Sequence, residues 1–155
     1  MTHHDIITII KELLTHAGFV VSGIEDTIDE HDGSYWFAVS LDNPTLLIGK
    51  NGEHLQAFNM LVRKIIEAKV PENTIRFVVD VGGFQKQKVD NVKVIAHMMA
   101  ERARFFKSSV AVDPMSAFER RIIHEFLKDK QDLQTGSEGE GAGRHVVIKY
   151  VGTLS

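Results

Sequence analysis

The stretch Leu46-Leu47-Ile48-Gly49-Lys50-Asn51-Gly52-Glu53 decides how the first half of this chain is read. Neither glycine has a Cβ, so the backbone there can come within contact distance of another backbone. An apolar run leads into the loop and an amphipathic helix pattern leaves it. That pattern places Leu55, Phe58, Val62 and Ile65 in one stripe, thickened by Leu61 and Ile66, and Pro71 ends it. A loop that opens a helix offers free N–H groups and the positive end of the helix dipole, which suit a phosphate. Lys50 adds a mobile positive charge. Two glycines at this spacing arise often by chance, and a plain helix–turn–helix joint is the bland alternative. The surrounding elements therefore have to carry the argument.

Working outward, Ile6, Ile9, Ile10, Leu13, Leu14 and Ala17 recur at helical spacing over residues 5–17, and Gly18 stands where a helix stop belongs. Phe19 to Asp29 and Tyr35 to Leu41 read as two strands, with His31-Asp32-Gly33-Ser34 as the turn of a hairpin. Tyr35 and Phe37 fall on one face of their strand and Trp36 on the other, and core is the favoured place for one of Trp36 and Phe37. Asn43 is placed to cap a helix that has Pro44 in its first turn. Residues 74–81 form a third strand, closed by Gly82-Gly83. The order is helix, strand, strand, helix, helix, strand, which predicts an α+β unit whose helices cover one face of a sheet.

Downstream, residues 84–107 read as the longest helix, with Val89, Val92, Ala96, Met99, Ala103 and Phe106 as its buried stripe. Lys86, Lys93, Arg104 and Lys107 lie off that stripe. A short strand (Ser109 to Val112), a helix from Ser116 to about Lys128, a glycine-rich loop and a last strand (Arg144 to Val151) follow. Ser116 and Glu119 have capping-box spacing. At about 100° per residue, Met115, Phe118, Ile122, Ile123 and Phe126 share one face of the penultimate element. Arg120 and His124 share the other, with Arg121 and Lys128 nearby. An Arg and a His one turn apart can reach the same anion, the Arg as a planar fork and the His as a ring donor or stacking surface. The bland alternative is a solvated basic face.

The 155 residues carry a net charge of −3 that is unevenly spread. Residues 1–43 sum to −7, residues 44–107 to +5 and residues 108–155 to −1. A basic middle can attract a phosphate backbone whatever the overall sign. The absence of cysteine excludes disulfides and thiolate metal sites and fits a reducing cytoplasm. No apolar run is long enough to span a membrane, and the first residues do not read as a secretory signal, so a soluble, cytoplasmic protein without membrane insertion is expected. The eight histidines show no metal-ligand spacing, and His3-His4 reads as a flexible terminus. No metal, cofactor or catalytic constellation is expected, and the chain is read as a non-enzyme.

On the quoted loop and its flanking pattern, residues 1–82 resemble a KH domain of the bacterial type (type II), a module that clamps about four nucleotides of single-stranded backbone. The resemblance implies that Gly49, Lys50, Asn51 and Gly52 bind backbone and that Ile48 seats the loop. Residues 83–155 resemble an R-3-H domain with a long connecting helix. The resemblance rests on Arg120 and His124, on Asp113-Pro114-Met115 before their helix, and on Thr135-Gly136-Ser137-Glu138-Gly139-Glu140 and Arg144-His145-Val146-Val147-Ile148 after it. KH followed by R-3-H is similar to the Jag, or SpoIIIJ-associated, family.

The resemblance implies a single-stranded RNA-binding protein, with single-stranded DNA as the alternative ligand. It also implies a post-transcriptional role linked to cell elongation or division, and a partner carrying only a KH domain. The expected contacts are the Gly49–Gly52 loop, then Lys86, Lys93 and Arg104 for non-specific attraction, and Arg120, Arg121, His124, Thr135, Ser137 and Arg144 as a second stretch. The two modules are expected to be joined rigidly into one mostly continuous surface. Jag proteins often carry an extra N-terminal domain and a charged linker, whereas this sequence starts at the first helix. The loop from Gly139 to Arg144 has glycine and alanine where proline is more typical, which favours mobility. The rival reading is a protein-interaction adaptor whose basic face is incidental.

Overall fold

Thr2 accepts the backbone N–H of Asp5, and the Asp5 carboxylate accepts the N–H of Thr2 in return, so a capping box opens α1 (His3–His16). His3 is therefore inside a helix, not in a flexible terminus. Its ring stacks on Tyr35 at 5.2 Å, and its Nε2 lies 3.8 Å from Asp26. Gly18, at φ +88°, ends the helix as a left-handed cap, with the Phe19 N–H on the Leu14 carbonyl at 2.9 Å. The structure, a computed structural model, describes residues 1–152, so the last three residues of the expected second domain lie outside the described residues.

The chain divides into two units, Met1–Lys86 and Gln87 onward. In the first, β1 (Val21–Ile28) pairs antiparallel with β2 (Tyr35–Leu41), and β2 pairs parallel with β3 (Phe77–Val81), in the order β1-β2-β3. Between β2 and β3 lie α2 (Pro44–Ile48), a 3₁₀ turn (Lys50–Gly52) and α3 (Glu53–Lys69). Asn43 precedes α2 but gives it no side-chain cap.

Ile6, Ile10 and Leu14 of α1 pack with Leu55, Val62 and Ile66 of α3 onto Phe37, Val39, Val79 and Val81. Each such side chain contributes roughly 1.5–3 kcal/mol on burial. Leu61, expected to thicken the α3 stripe, is 49% exposed, because the stripe runs through Val62 and Ile66. Phe37 is the core aromatic, and Trp36 stands half-buried on the sheet's other face. Asn59 closes the outer edge of β3. Its Oδ1 accepts the Val79 N–H (2.8 Å), and its Nδ2 donates to the Val79 carbonyl (2.9 Å).

The buried Asp80 accepts the N–H groups of Val81 (2.7 Å), Gln85 (2.8 Å) and Lys86 (3.1 Å). This carboxylate fixes the start of α4 (Phe84–Phe106) through a turn in which Gly82 and Gly83 both have positive φ. The division between the units falls inside α4.

In the second unit β4 (Ser109–Ala111), β5 (Leu133–Glu138) and β6 (His145–Tyr150) form an antiparallel sheet in the order β4-β6-β5. α5 (Ala117–Leu127) carries the expected capping box between Ser116 and Glu119. Val92, Ala96, Ala100 and Ala103 of α4 pack with Val112, Ile123, Leu127, Val146 and Ile148. Alanines let the backbone of α4 approach this core closely. Phe106, expected to end the α4 stripe, is 62% exposed, since the chain turns away at Lys107 (φ +49°) before anything covers the ring. The architecture is mixed α+β, as expected from the order of elements.

Candidate nucleic-acid interface

The glycine loop is built from left-handed backbone. Gly49 has φ +71°, Asn51 +54° and Gly52 +81°. A Cβ on Gly49 would lie 2.4 Å from Cγ of His54, whose Nδ1–H donates to the Leu46 carbonyl at 2.9 Å. A Cβ on Gly52 would lie 2.4 Å from Cε1 of Phe84. Both glycines thus give their missing side-chain space to the protein's own rings, not to a visiting backbone. What the loop turns outward is Lys50 and Asn51, both exposed. α3 receives no side-chain cap from Gly52, so the N–H groups of its first turn have no side-chain acceptor there. Neither His54 nor Phe84 carries a motif that would have marked it in the sequence.

The second arrangement lies between α5 and β5. The ring of His124 is half-buried, with Nδ1 2.7 Å from Thr135 Oγ1 and Nε2 3.0 Å from Ser137 Oγ. Burial, and then the Arg120 charge, hold its pKa below the ordinary histidine value. A neutral imidazole has one donor and one acceptor, so one hydroxyl donates to the ring while the other accepts from it. Both ring nitrogens are used internally, so His124 positions the two hydroxyls and has no ring atom left for an anion. Beside it, Nε of Arg120 is buried without a hydrogen-bond partner among the described residues. Thr135 and Ser137, expected in a loop, are in strand β5, paired with Ile148 and Val146 of β6.

The remaining expected residues are placed differently. Arg104 donates to both carboxylate oxygens of Asp132 (2.5 and 3.0 Å) and to Glu101, which makes it a structural clamp and not a free cation. The same clamp holds the Asp132 carboxyl below its usual range. Arg144 donates to the Gly139 carbonyl at 2.9 Å and closes the 3₁₀ turn Gly141–Gly143. Arg121 and Lys86 are exposed and Lys93 is half-buried. Lys88, unremarked in the sequence, lies 3.8 Å from Glu119. Among the described residues no helix is long and apolar enough to cross a membrane, and no group of three His, Asp or Glu side chains comes together as a metal site.

Residues 90–150 match the R3H domain family. The RNA-binding protein KhpB of Clostridium symbiosum is 33% identical over 107 residues, which cover 69% of this chain and 48% of that relative. The RNA-binding protein KhpB of Bacillus subtilis is 27% identical over 140 residues, 89% of this chain and 67% of the relative. That of Streptococcus pneumoniae serotype 2 is 24% identical over 151 residues, 95% of this chain and 46% of the relative. The chain thus spans about half the length of the Clostridium and Streptococcus relatives. With an R3H domain over residues 90–150 and these relatives along most of its length, the chain is similar to the Jag family that its sequence pointed to.

Proposed function

We propose that this protein binds single-stranded RNA at two places, the Gly49–Gly52 loop and the Arg120 face of α5. The observation that carries the reading is the Arg120 guanidinium. Arg120 is a partly exposed permanent cation whose planar guanidinium matches a phosphate in fit and charge. Its buried Nε, short of an acceptor, is satisfied only if the side chain shifts outward onto such a ligand. The Thr135 and Ser137 hydroxyls, set by His124, stand beside it as further hydrogen-bonding groups. The helix–strand–strand–helix–helix–strand order around the glycine loop supports reading residues 1–82 as a type II KH domain, followed by the R-3-H module over 83–155. The relatives named RNA-binding protein support RNA over single-stranded DNA.

On this reading contact at the loop runs through Lys50, Asn51 and the N–H groups of α3, while Lys86, Lys93 and Arg121 contribute diffuse attraction. The protein acts in the cytoplasm as a post-transcriptional regulator linked to cell elongation and division, without catalysis, together with a partner built of a KH domain alone. The resemblance to Jag proteins supports these finer points. Titrating a fluorescent single-stranded RNA at several salt concentrations tests the central claim. The logarithm of the affinity should fall linearly with the logarithm of salt, by roughly 0.7 for each phosphate neutralised. A flat response with weak binding replaces this reading with the adaptor.

A further inference from the structure

Phe105 is 81% exposed and Phe106 62%, and their rings meet edge to face at 5.0 Å. Beside them lies an open groove of about 420 Å³, lined by Arg102, Phe106, Ser108, Ser109, Val110 and Ala111. Its floor is β4, an outer strand of the sheet. The Ser108 carbonyl and the Val112 N–H are bonded to β6 at Tyr150 and Val146. By antiparallel alternation the peptide groups of Ser109 and Ala111 therefore point away from β6, toward the unpaired edge. Arg102 and Lys107 are exposed, and neither has an ion-pair partner among the described residues. The nearby Glu101 is taken by Arg104, so the local charge around the rings is positive.

We propose that this groove is a base-stacking site for single-stranded nucleic acid, an inference that rests on the RNA-binding reading. A base lies against the Phe105–Phe106 pair, with Phe106 lining the groove and Phe105 beside it. The base's polar edge meets the outward peptide groups of β4 and the Ser108 and Ser109 hydroxyls, and its flanking phosphates meet Arg102 and Lys107. Stacking on an exposed aromatic flanked by cations tolerates any base, since every base has a π-face. The chemistry favours nucleic acid over an apolar protein surface. The rings are bordered by two cations, two hydroxyls and unpaired peptide groups, and the exposed aliphatics of α4, Val94, Ile95 and Met98, lie about two to three helical turns back. The site sits on the sheet edge opposite β5, so it is separate from the Arg120 face.

The test uses the full chain, a single-stranded oligoribonucleotide, and an abasic strand of the same length. Phe105→Ala should weaken the base-bearing strand about tenfold, leave the abasic strand unaffected and leave the salt slope unchanged. Arg102→Ala should weaken both strands and reduce the slope. Because Phe105 is so exposed, its variant should melt as the native protein does. Equal RNA affinity of Phe105→Ala and the native chain overturns the proposal. So does a native dimer that Phe105→Ala converts to a monomer with RNA affinity kept, since the rings then face a second copy. If the native chain binds the oligonucleotide and Phe105→Ala binds it equally, only this inference fails. If the native chain does not bind, the RNA reading fails with it.

Discussion

On the proposed reading, the Gly49–Gly52 loop and the Arg120–His124 face offer phosphate two different things. The loop presents backbone donors and a mobile lysine, while its distinctive glycines look inward at His54 and Phe84. The α5 face presents side chains already locked by each other, with His124 bridging two hydroxyls and Arg120 left short of an acceptor. A motif defined by missing atoms marks where the chain packs tightly as well as where a ligand can approach. A motif defined by side chains marks a preset geometry, and its most recognisable member can serve as scaffolding for its neighbours.

Four experiments can break or sharpen that contrast. Gly52→Ala adds a methyl group where Phe84 stands and where φ is +81°, so the first unit should lose on the order of 2 kcal/mol in a denaturant melt. A stable variant with reduced RNA binding would instead return this glycine to the ligand. Next in size, Lys50→Asp with Asn51→Asp should cut RNA affinity at least about tenfold, or ~1.4 kcal/mol, while the melt stays native. Arg120→Ala should weaken RNA binding by a smaller factor, about fivefold, with stability kept or raised, because it removes a buried unsatisfied donor. A large drop in melting temperature would make Arg120 structural.

The smallest effect concerns pH. The folded protein holds the His124 pKa below its unfolded value, so the unfolded chain binds more protons between the two values, and stability rises with pH across that window. The His124 contribution to stability should be constant above about pH 6.5 and be lost as pH falls below it. His124→Gln should remove that part of the acid sensitivity, as followed by thermal melts across pH. An unchanged profile would show that the ring titrates alike in the folded and the unfolded chain, so that folding leaves its pKa where it was.

Much of the fold is visible in the sequence because burial imposes periodicity. The helix over residues 5–17, the hairpin and the stripe through Leu55, Phe58 and Val62 all follow from apolar spacing. Strand β5 does not, because Leu133-Gln134-Thr135-Gly136-Ser137-Glu138 has one apolar residue. Its inward side is polar because it faces the His124 ring. The Arg120–His124 spacing was legible, but the internal use of both His124 nitrogens was not, since its partners lie in a segment with no strand pattern. Arg104 looked free for the same reason: its partner Asp132 lies 28 residues away, and no local spacing reports it. His3 lies in α1 because Thr2 and Asp5 form a capping box, with Asp in the place where that pattern usually has Glu or Gln.

The Asp80 carboxylate has a practical consequence for dissecting the chain. A fragment cut after Gly82 would strip this buried acid of the Gln85 and Lys86 N–H groups and leave it with Val81 alone. The same cut would remove Phe84, against which Gly52 is fitted. A fragment that runs through Lys86 keeps both, so the first turn of the long helix travels with the residues before it, and a truncation placed at the glycine pair would be judging a damaged fold.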